Sequence, residues 1–483
     1  MLELMNQCWR LRTLPQECHI ARIVTIFKKG QPVPANFRPI SLLCTVYKLF
    51  TSLLALRLEK IAPRISENQF GYQKAKSVDS AIFRILRSLE NSENWKNFGI
   101  YILLLDWNKC FDRIHKNPLL NALERMGVEA PFIEMLNVVY SSKSFFVQDA
   151  FGKSSTQKQT TGLAQGDPLS CILLNCLTTV IMRDAEEAWL HTFHALIPTG
   201  KIFKDLFGFD HVLFADDTNL VNSDIRALRA MLHCVQVQAQ MYGLTLNFDK
   251  TFLLRIGAAR LLPPPSLRAI SGELVSEKDT GKTLGFLVGA KDTTKLTVQN
   301  KVRDVHFTMK QFKFIWQSKI SIKKKIYKFH SLVVSKTWGV HLLPLVKRDF
   351  RKLEAAYVRC VRRILGIKAA YISRISNETV LKRAGVPAFQ STIRLKQLTL
   401  LGHILRLGPT HPDWKVCFQP DLQCLPCLPT GILRRQGRPR ARWAEELFSL
   451  FKTQYPHYSR TEIANLAQNR DRWKVAAWRL SSS

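Results

Sequence analysis

Leu213-Phe214-Ala215-Asp216-Asp217-Thr218-Asn219-Leu220 sets two adjacent carboxylates between two short apolar runs. Strand-type residues flanking Asp, which tolerates turn geometry, predict a β-hairpin with Asp216 and Asp217 in its tight turn. Neighbouring carboxylates at a hairpin tip repel one another, and a cation between them removes the repulsion. A pair of Mg²⁺ ions, roughly 3.5–4 Å apart, does this in enzymes that move phosphoryl groups. An Asp-Asp turn alone is more often a solvated loop, so the reading depends on a third carboxylate.

Asp106 supplies it. Gly99-Ile100-Tyr101-Ile102-Leu103-Leu104-Leu105 is a near-continuous apolar run, the composition of a strand buried on both faces. It ends in Asp106, followed by Trp107-Asn108-Lys109-Cys110-Phe111-Asp112. A carboxylate at the end of a core strand is costly unless it is paired or binds metal. Asp106, Asp216 and Asp217 are therefore expected to converge on one sheet edge. The bland alternative makes Asp106 the cap of a helix starting near Asn117-Pro118-Leu119-Leu120.

The chain has 483 residues, enough for two to four domains. Lys and Arg number 71 against 37 Asp and Glu, a net charge of +34. An excess spread along the whole chain points to a polyanionic partner, with nucleic acid ahead of an anionic membrane surface. We find no apolar run approaching the roughly 18–20 residues that span a bilayer and no secretory start at Met1-Leu2-Glu3-Leu4-Met5. No membrane partner is expected. Eleven cysteines without a disulfide-framework spacing fit a reducing, intracellular compartment. The abrupt helical start at residue 2 reads as the end of something longer.

Outward from the carboxylates, Ala21 to Phe27 reads as a strand, followed by a basic turn with Lys28 and Lys29. Asn36-Phe37-Arg38-Pro39 is read as entering a helix that extends to about Arg57. Lys28, Lys29 and Arg38 offer point charges and a planar fork for a triphosphate, or simply a solvated basic face. Residues 67–90 run from Gln69-Phe70-Gly71-Tyr72 into an amphipathic helix. Gly162-Leu163-Ala164-Gln165-Gly166-Asp167-Pro168-Leu169-Ser170 is a polar turn between two glycines, where backbone can approach a base or sugar closely. A helix follows over Cys171 to Val180. Another helix is expected from about Asp224 to Met241, then a strand, and a Gly-bounded strand pair over 281–289. From about 298 the chain turns to helices rich in Lys, Arg and aromatics. After a loop-rich part at 408–433, Arg434, Arg435, Arg438, Arg440 and Arg442 precede Trp443, a run suited to phosphate backbones or to plain solubility. Cys417, Cys424 and Cys427, with His403 and His411 nearby, have loose zinc-ligand character but lack paired C-x-x-C spacing.

Together these blocks resemble a reverse transcriptase of the non-LTR (LINE-type) retrotransposons, over about residues 10–370. The resemblance rests on Asn36 to Leu42, Gln69 to Tyr72, Leu105 to Asp112, Gly162 to Ser170, Phe214 to Asp217, Gly243 to Asn247 with Lys250, and Leu284-Gly285, in the family's order. Gly402 to Arg406 and Gly437 to Arg440 are also similar to the tail of such polyproteins. The resemblance implies an α+β, right-hand polymerase: fingers over 1–95, a palm with an antiparallel sheet over 96–295, a helical thumb over 296–375 and a basic, mostly helical tail over 376–483. It implies that Asp106, Asp216 and Asp217 hold two Mg²⁺ ions, with Mn²⁺ as a substitute. By the same resemblance Phe111 excludes a ribose 2′-hydroxyl, Gln165 and Gly166 line the template and incoming nucleotide, and Lys250 lies near the phosphates, joined by Lys28 and Arg38. The implied partners are an RNA template, a DNA primer and dNTPs, and the implied compartment is the nucleus. Cys110 and Asp167 depart from the family's usual residues without removing a metal ligand. The endonuclease that accompanies such polymerases is not found here and is expected from an absent domain. The competing readings are an RNA-dependent RNA polymerase, which Phe111 disfavours, and a degenerate remnant that only binds nucleic acid.

Overall fold

A computed structural model describes residues 1–28, 30–141, 143–149, 152–196, 203–289, 292–424 and 440–482. Its strands are, in chain order, β1 (Ile20–Phe27), β2 (Phe37–Leu42), β3 (Gly99–Leu105), β4 (Ser144–Asp149) and the two-residue β5 (Gly152–Lys153) and β6 (Gln157–Lys158). There follow β7 (His211–Phe214), β8 (Asp217–Asn222), β9 (Phe252–Gly257), β10 (Ser276–Glu277), β11 (Thr280–Thr283) and β12 (Phe286–Gly289). One sheet is built on β2-β1-β4, with β1 antiparallel to β2 and parallel to β4. The second has the order β10-β9-β3-β8-β7 and is antiparallel except where β10 joins β9. The α+β class and the antiparallel central sheet follow directly.

The expected helix from Asn36 is corrected. Phe37–Leu42 is an edge strand whose Arg38 pairs with Ile26, and the helix spans Thr45–Leu58. Pro39 lacks an N–H and sits where an edge strand tolerates that loss.

β3 divides the interior, because successive strand residues point to opposite faces. Ile100, Ile102 and Leu104 belong to one hydrophobic cluster, and Tyr101, Leu103 and Leu105 to another. The second cluster is filled by the long helix Pro168–Leu196, packed on helices Ile225–Met241 and Thr45–Leu58. By length and composition Pro168–Thr192 would pass for a membrane span, contrary to our expectation, but most of it is buried in this core. The helix expected over Cys171 to Val180 is thus part of a longer one.

The first cluster continues from Phe83 and Leu86, on helix Val78–Asn94, through Phe329 and Tyr357 to Leu401, Trp443 and Trp473. Among the described residues this cluster runs without a break past residue 375. Trp443 is 1% exposed, meets Phe83 edge-on with centroids 5.0 Å apart, and donates from Nε1 to the His341 carbonyl at 2.8 Å. A Cβ on Gly402 would stand 2.1 Å from Trp473 Nε1, so glycine is what lets helix Arg470–Ser482 cross helix Phe389–Leu407 closely. The C-terminal helices are part of the body of the protein.

Candidate active site

The β7–β8 register pairs Phe214 with Asp217, which leaves Ala215 and Asp216 as the two-residue turn. Asp217 therefore opens β8 instead of sharing the turn. Ala215 takes a left-handed φ of 55°. That conformation costs an L-residue roughly 1–2 kcal/mol, so something must hold it. Gln69 does. Its Oε1 accepts the N–H groups of Ala215 and Gly71, both at 2.9 Å. Its Nε2 donates to the Ala215 carbonyl at 3.2 Å and to Thr178 Oγ1 at 3.1 Å. On either side, the Leu213 N–H donates to the Asn68 carbonyl and the Phe70 N–H to the Leu213 carbonyl, each at 2.8 Å. Gly71 is required by proximity, since a Cβ there would lie 2.4 Å from the Ala215 nitrogen.

β3 lies beside β8 with Leu105 opposite Thr218, so Asp106 emerges at the sheet end that carries Asp216 and Asp217. Its N–H donates to Thr251 Oγ1 at 3.2 Å, and its carbonyl accepts from Asn247 at 2.8 Å. Its Oδ2 lies 3.3 Å from Lys250 Nζ. The helix near Asn117 starts at Lys116 after His115, so Asp106 does not cap it.

Burial pushes the Asp216 carboxyl above its ordinary range. Asp106 adds to the rise, while a backbone hydrogen bond, Arg38 and Lys250 oppose it. Asp217 keeps an exposed face, yet partial burial of its carboxyl, and then the charges of Asp216 and Asp106, push it up to about 6, with Lys250 opposing. Among the described residues no three acidic, His or Cys side chains are already drawn together as a closed metal cage. The donor chemistry nevertheless fits a divalent ion. Repelling carboxylate oxygens are hard ligands suited to Mg²⁺ or Mn²⁺.

Around this edge the other candidate residues separate. Phe111, half-buried on the helical turn Cys110–Arg113, accepts at its carbonyl from the Leu163 N–H at 2.6 Å. The loop 162–170 thus docks directly on the turn after Asp106. Gln165 accepts at its carbonyl from the Ser41 N–H at 2.9 Å and, with Thr25, Pro39, Asp112 and Lys158, lines a cavity of about 450 Å³. Gly166 lies against Ser41, whose carbonyl is 3.0 Å from where a Cβ would stand. Arg38 is exposed on β2, with its charge felt at Asp216. Lys28 acts on Asp112 instead, and Lys29 lies outside the described residues. Asp167 is 2% exposed and serves the loop from within, accepting from Tyr47 Oη at 3.0 Å and the Leu169 N–H at 3.1 Å, with Lys143 Nζ 3.8 Å away.

The basic run before Trp443 is partly corrected. Arg440 pairs with Glu93 at 2.5 Å, and Arg442 is 9% exposed and donates to the Cys424 carbonyl at 2.9 Å. The burial of Trp443 draws Arg442 inward, while Arg440 stays exposed and is held by Glu93. Arg434, Arg435 and Arg438 lie outside the described residues, as does Cys427. Cys417 and Cys424 are buried, and burial pushes both thiols up, away from the thiolate a zinc ligand needs.

Sequence reasoning missed the work of Gln69 altogether. Its only signal was a lone amide beside Phe70 and Gly71.

Residues 26–315 match the family described as reverse transcriptase (RNA-dependent DNA polymerase). The "Probable RNA-directed DNA polymerase from transposon BS" of Drosophila melanogaster is 22% identical over 376 residues, covering 74% of this chain and 40% of that protein. The "Retrovirus-related Pol polyprotein from type-1 retrotransposable element R2" of Nasonia vitripennis is 27% identical over 237 residues, 49% of this chain and 22% of that one. The chain thus spans two fifths or less of these relatives' lengths. Among solved structures, telomerase from Candida albicans is similar at a TM-score of 0.43 and 14% identity, over 76% of this chain and 66% of that one.

Proposed function

From its membership of the reverse transcriptase family, which uses divalent metal ions and whose non-LTR retrotransposon members are its relatives, we propose that this chain is an RNA-directed DNA polymerase. It extends a DNA primer on an RNA template. The observation that carries the reading is the arrival of Asp106, Asp216 and Asp217 at one end of the β3–β8 pair, with the last two carboxyls raised in pKa by burial and mutual repulsion.

Asp106, Asp216 and Asp217 would hold two Mg²⁺ ions, with Mn²⁺ as the alternative. When bound, these ions activate the primer 3′-hydroxyl and neutralise the triphosphate. Lys250 and Arg38 flank the carboxylates and offer cations to the phosphates of an incoming nucleotide. Phe111 closes the space a ribose 2′-hydroxyl would need, and the 162–170 loop presents Gln165 and Gly166 to the template side. In this reading residues 1–95 are fingers, 96–295 palm and 296–375 thumb, with the C-terminal helices packed against them.

The test is primer extension on a homopolymer RNA template with an oligodeoxynucleotide primer, comparing dNTPs with NTPs. dNTP incorporation that requires a divalent ion supports the proposal. Incorporation of NTPs alone identifies an RNA polymerase, and no incorporation with retained binding leaves a nucleic-acid binder.

A further inference from the structure

A line of buried polar groups leads from the C-terminal region to the hairpin. Asp413, on the short helix Pro412–Lys415, is 6% exposed and accepts from Arg84 Nε at 2.5 Å. Arg84, 1% exposed on helix Val78–Asn94, donates from Nη1 to Asn68 Oδ1 at 2.7 Å and lies over the Phe70 ring, 4.7 Å from its centroid. With its amide oxygen on Arg84, Asn68 turns Nδ2 to His211 Nε2 at 3.3 Å. His211, also 1% exposed, then has Nδ1–H to donate to Asp210 Oδ1 at 2.7 Å. The main chain of the same segment grips β7 through Asn68, Phe70 and Leu213, and Gln69 between them holds the Ala215 turn. The path therefore ends on the backbone immediately before Asp216.

A buried guanidinium is tolerated only while it is paired and hydrogen-bonded. Asp413 supplies the countercharge at Nε, and Asn68 takes an N–H of Nη1. If Asp413 loses its charge, Arg84 must lean harder on Asn68, and Asn68 is bonded to the hairpin on its other side. The bland reading is an ion pair that merely fastens the C-terminal helices to the body. Against it, Arg84 divides its bonds between Asp413 and the very segment that clamps the turn.

We propose that Asp413 is a positioning residue for the candidate catalytic hairpin, acting through Arg84 and Asn68 on the 68–70 segment that holds the turn before Asp216. The inference rests on the function proposed above.

The test uses the full chain and compares the parent with Asp413→Asn, Asp413→Glu and, as a control, Trp473→Phe, which loosens the C-terminal core without touching the polar line. Asp413→Asn keeps the shape and an acceptor oxygen while removing only the countercharge. Two readouts are taken: amide hydrogen exchange, which needs no activity, and primer-extension kinetics. In Asp413→Asn, exchange at Leu213 and Ala215 is expected to accelerate by about tenfold, with helix Phe389–Leu407 unchanged. The control should show the reverse pattern. The kcat should fall by about tenfold or more at a primer–template KM within about twofold of the parent, because a small misplacement far from the chemistry is costly there. Asp413→Glu should restore much of the loss. Unaltered exchange at Leu213 and Ala215, exchange raised only together with the whole C-terminal region, or unaltered kcat in an active parent each overturns the inference. A parent that extends no primer overturns the function reading instead, while the exchange data still decide whether Asp413 positions the hairpin.

Discussion

The hairpin over 213–220 and the C-terminal helices from 376 onward both concentrate charge, and they dispose of it in opposite ways. In the C-terminal region several charges find partners within the protein: Arg440 in Glu93, Arg460 in Glu445, Arg442 in the Cys424 carbonyl, and Asp413 in Arg84. At the hairpin, Asp216 and Asp217 share a sheet end with Asp106, and burial and repulsion push both carboxyls up against partial opposition from Lys250, and at Asp216 also from Arg38 and a backbone hydrogen bond. A charge satisfied at home is doing structural duty. Like charges held together without a full answer are waiting for something that arrives from outside. In a protein of net charge +34, the abundant sign is therefore the less informative one.

The sharpest way to break this contrast is to neutralise the waiting charges. Asp216→Asn or Asp217→Asn should remove several kcal/mol of metal-dependent stabilisation of the transition state, or about a thousandfold in extension rate. RNA–DNA binding by filter retention should stay within about twofold, since the phosphate backbone dominates that affinity. Extension at a tenth of the parent rate would remove the carboxylates from the proposed role.

The opposite manipulation targets the region whose contribution is packing. Trp443→Ala should destabilise the protein by about 3–5 kcal/mol. Because Trp443 shares a core with Phe83 and, beyond it, Ile102 and Leu254, the loss should appear as one lowered thermal transition that includes the central sheet. A separate early transition, with the sheet melting as in the parent, would show that the C-terminal helices are an appendage after all.

What could be seen in the amino-acid order divides along the same line. β3, the β7–β8 hairpin, helix Ile225–Met241 and the β11–β12 pair are stretches whose own period and punctuation decide their form. The meeting of Asp106 with Asp216 and Asp217 was legible because each stands at the end of such a stretch. Phe37–Leu42 was misread, since Pro39 is compatible with a strand only at an edge and nothing local says where the edge is. Gln69 was invisible for a different reason: a neutral amide carries no pattern until the backbone it serves is folded beside it. The C-terminal region reads as a basic tail because Trp443 and Phe83, 360 positions apart in sequence, reveal their contact only in three dimensions.

Two smaller effects refine the hairpin side. Phe111→Val should admit ribonucleotides, shifting the dNTP/NTP ratio of kcat/KM by about ten- to a hundredfold, the discrimination a single pocket contact usually supplies. An unchanged ratio would take Phe111 out of sugar selection. The pH effect follows from Asp217. Its pKa in the fold, about 6, lies above the ordinary value, so the protonated form is favoured on folding. The associated stability is present at low pH and is lost as pH rises through about 6. In metal-free protein, Asp217→Asn should therefore raise Tm at about pH 7.5 by a few degrees and change it little at about pH 4.5. Mg²⁺ should likewise raise the parent's Tm at the higher pH only. A Tm gain that is equal at both pH values would mean that Asp217 is not under electrostatic strain.

The smallest effect concerns the basic run that precedes Trp443. Each phosphate neutralised by a cationic side chain steepens the salt dependence of affinity by roughly 0.7–0.9 log units per log unit of salt. If all of Arg434, Arg435, Arg438, Arg440 and Arg442 lay on nucleic acid, changing them to Gln would flatten the slope by roughly 3.5–4.5. Arg440 and Arg442 are committed to Glu93 and the Cys424 carbonyl, so they should contribute nothing to that slope. The fivefold Gln variant is then expected to lose no more than about 2–2.7 units, and Arg434, Arg435 and Arg438 changed alone should lose as much. The pair Arg440→Gln and Arg442→Gln should leave the slope intact and lower Tm, because a buried carbonyl and Glu93 are left without their partners. A slope that falls in the pair variant would place those two arginines on the phosphate backbone and show that the charges of this region are not, after all, satisfied from within.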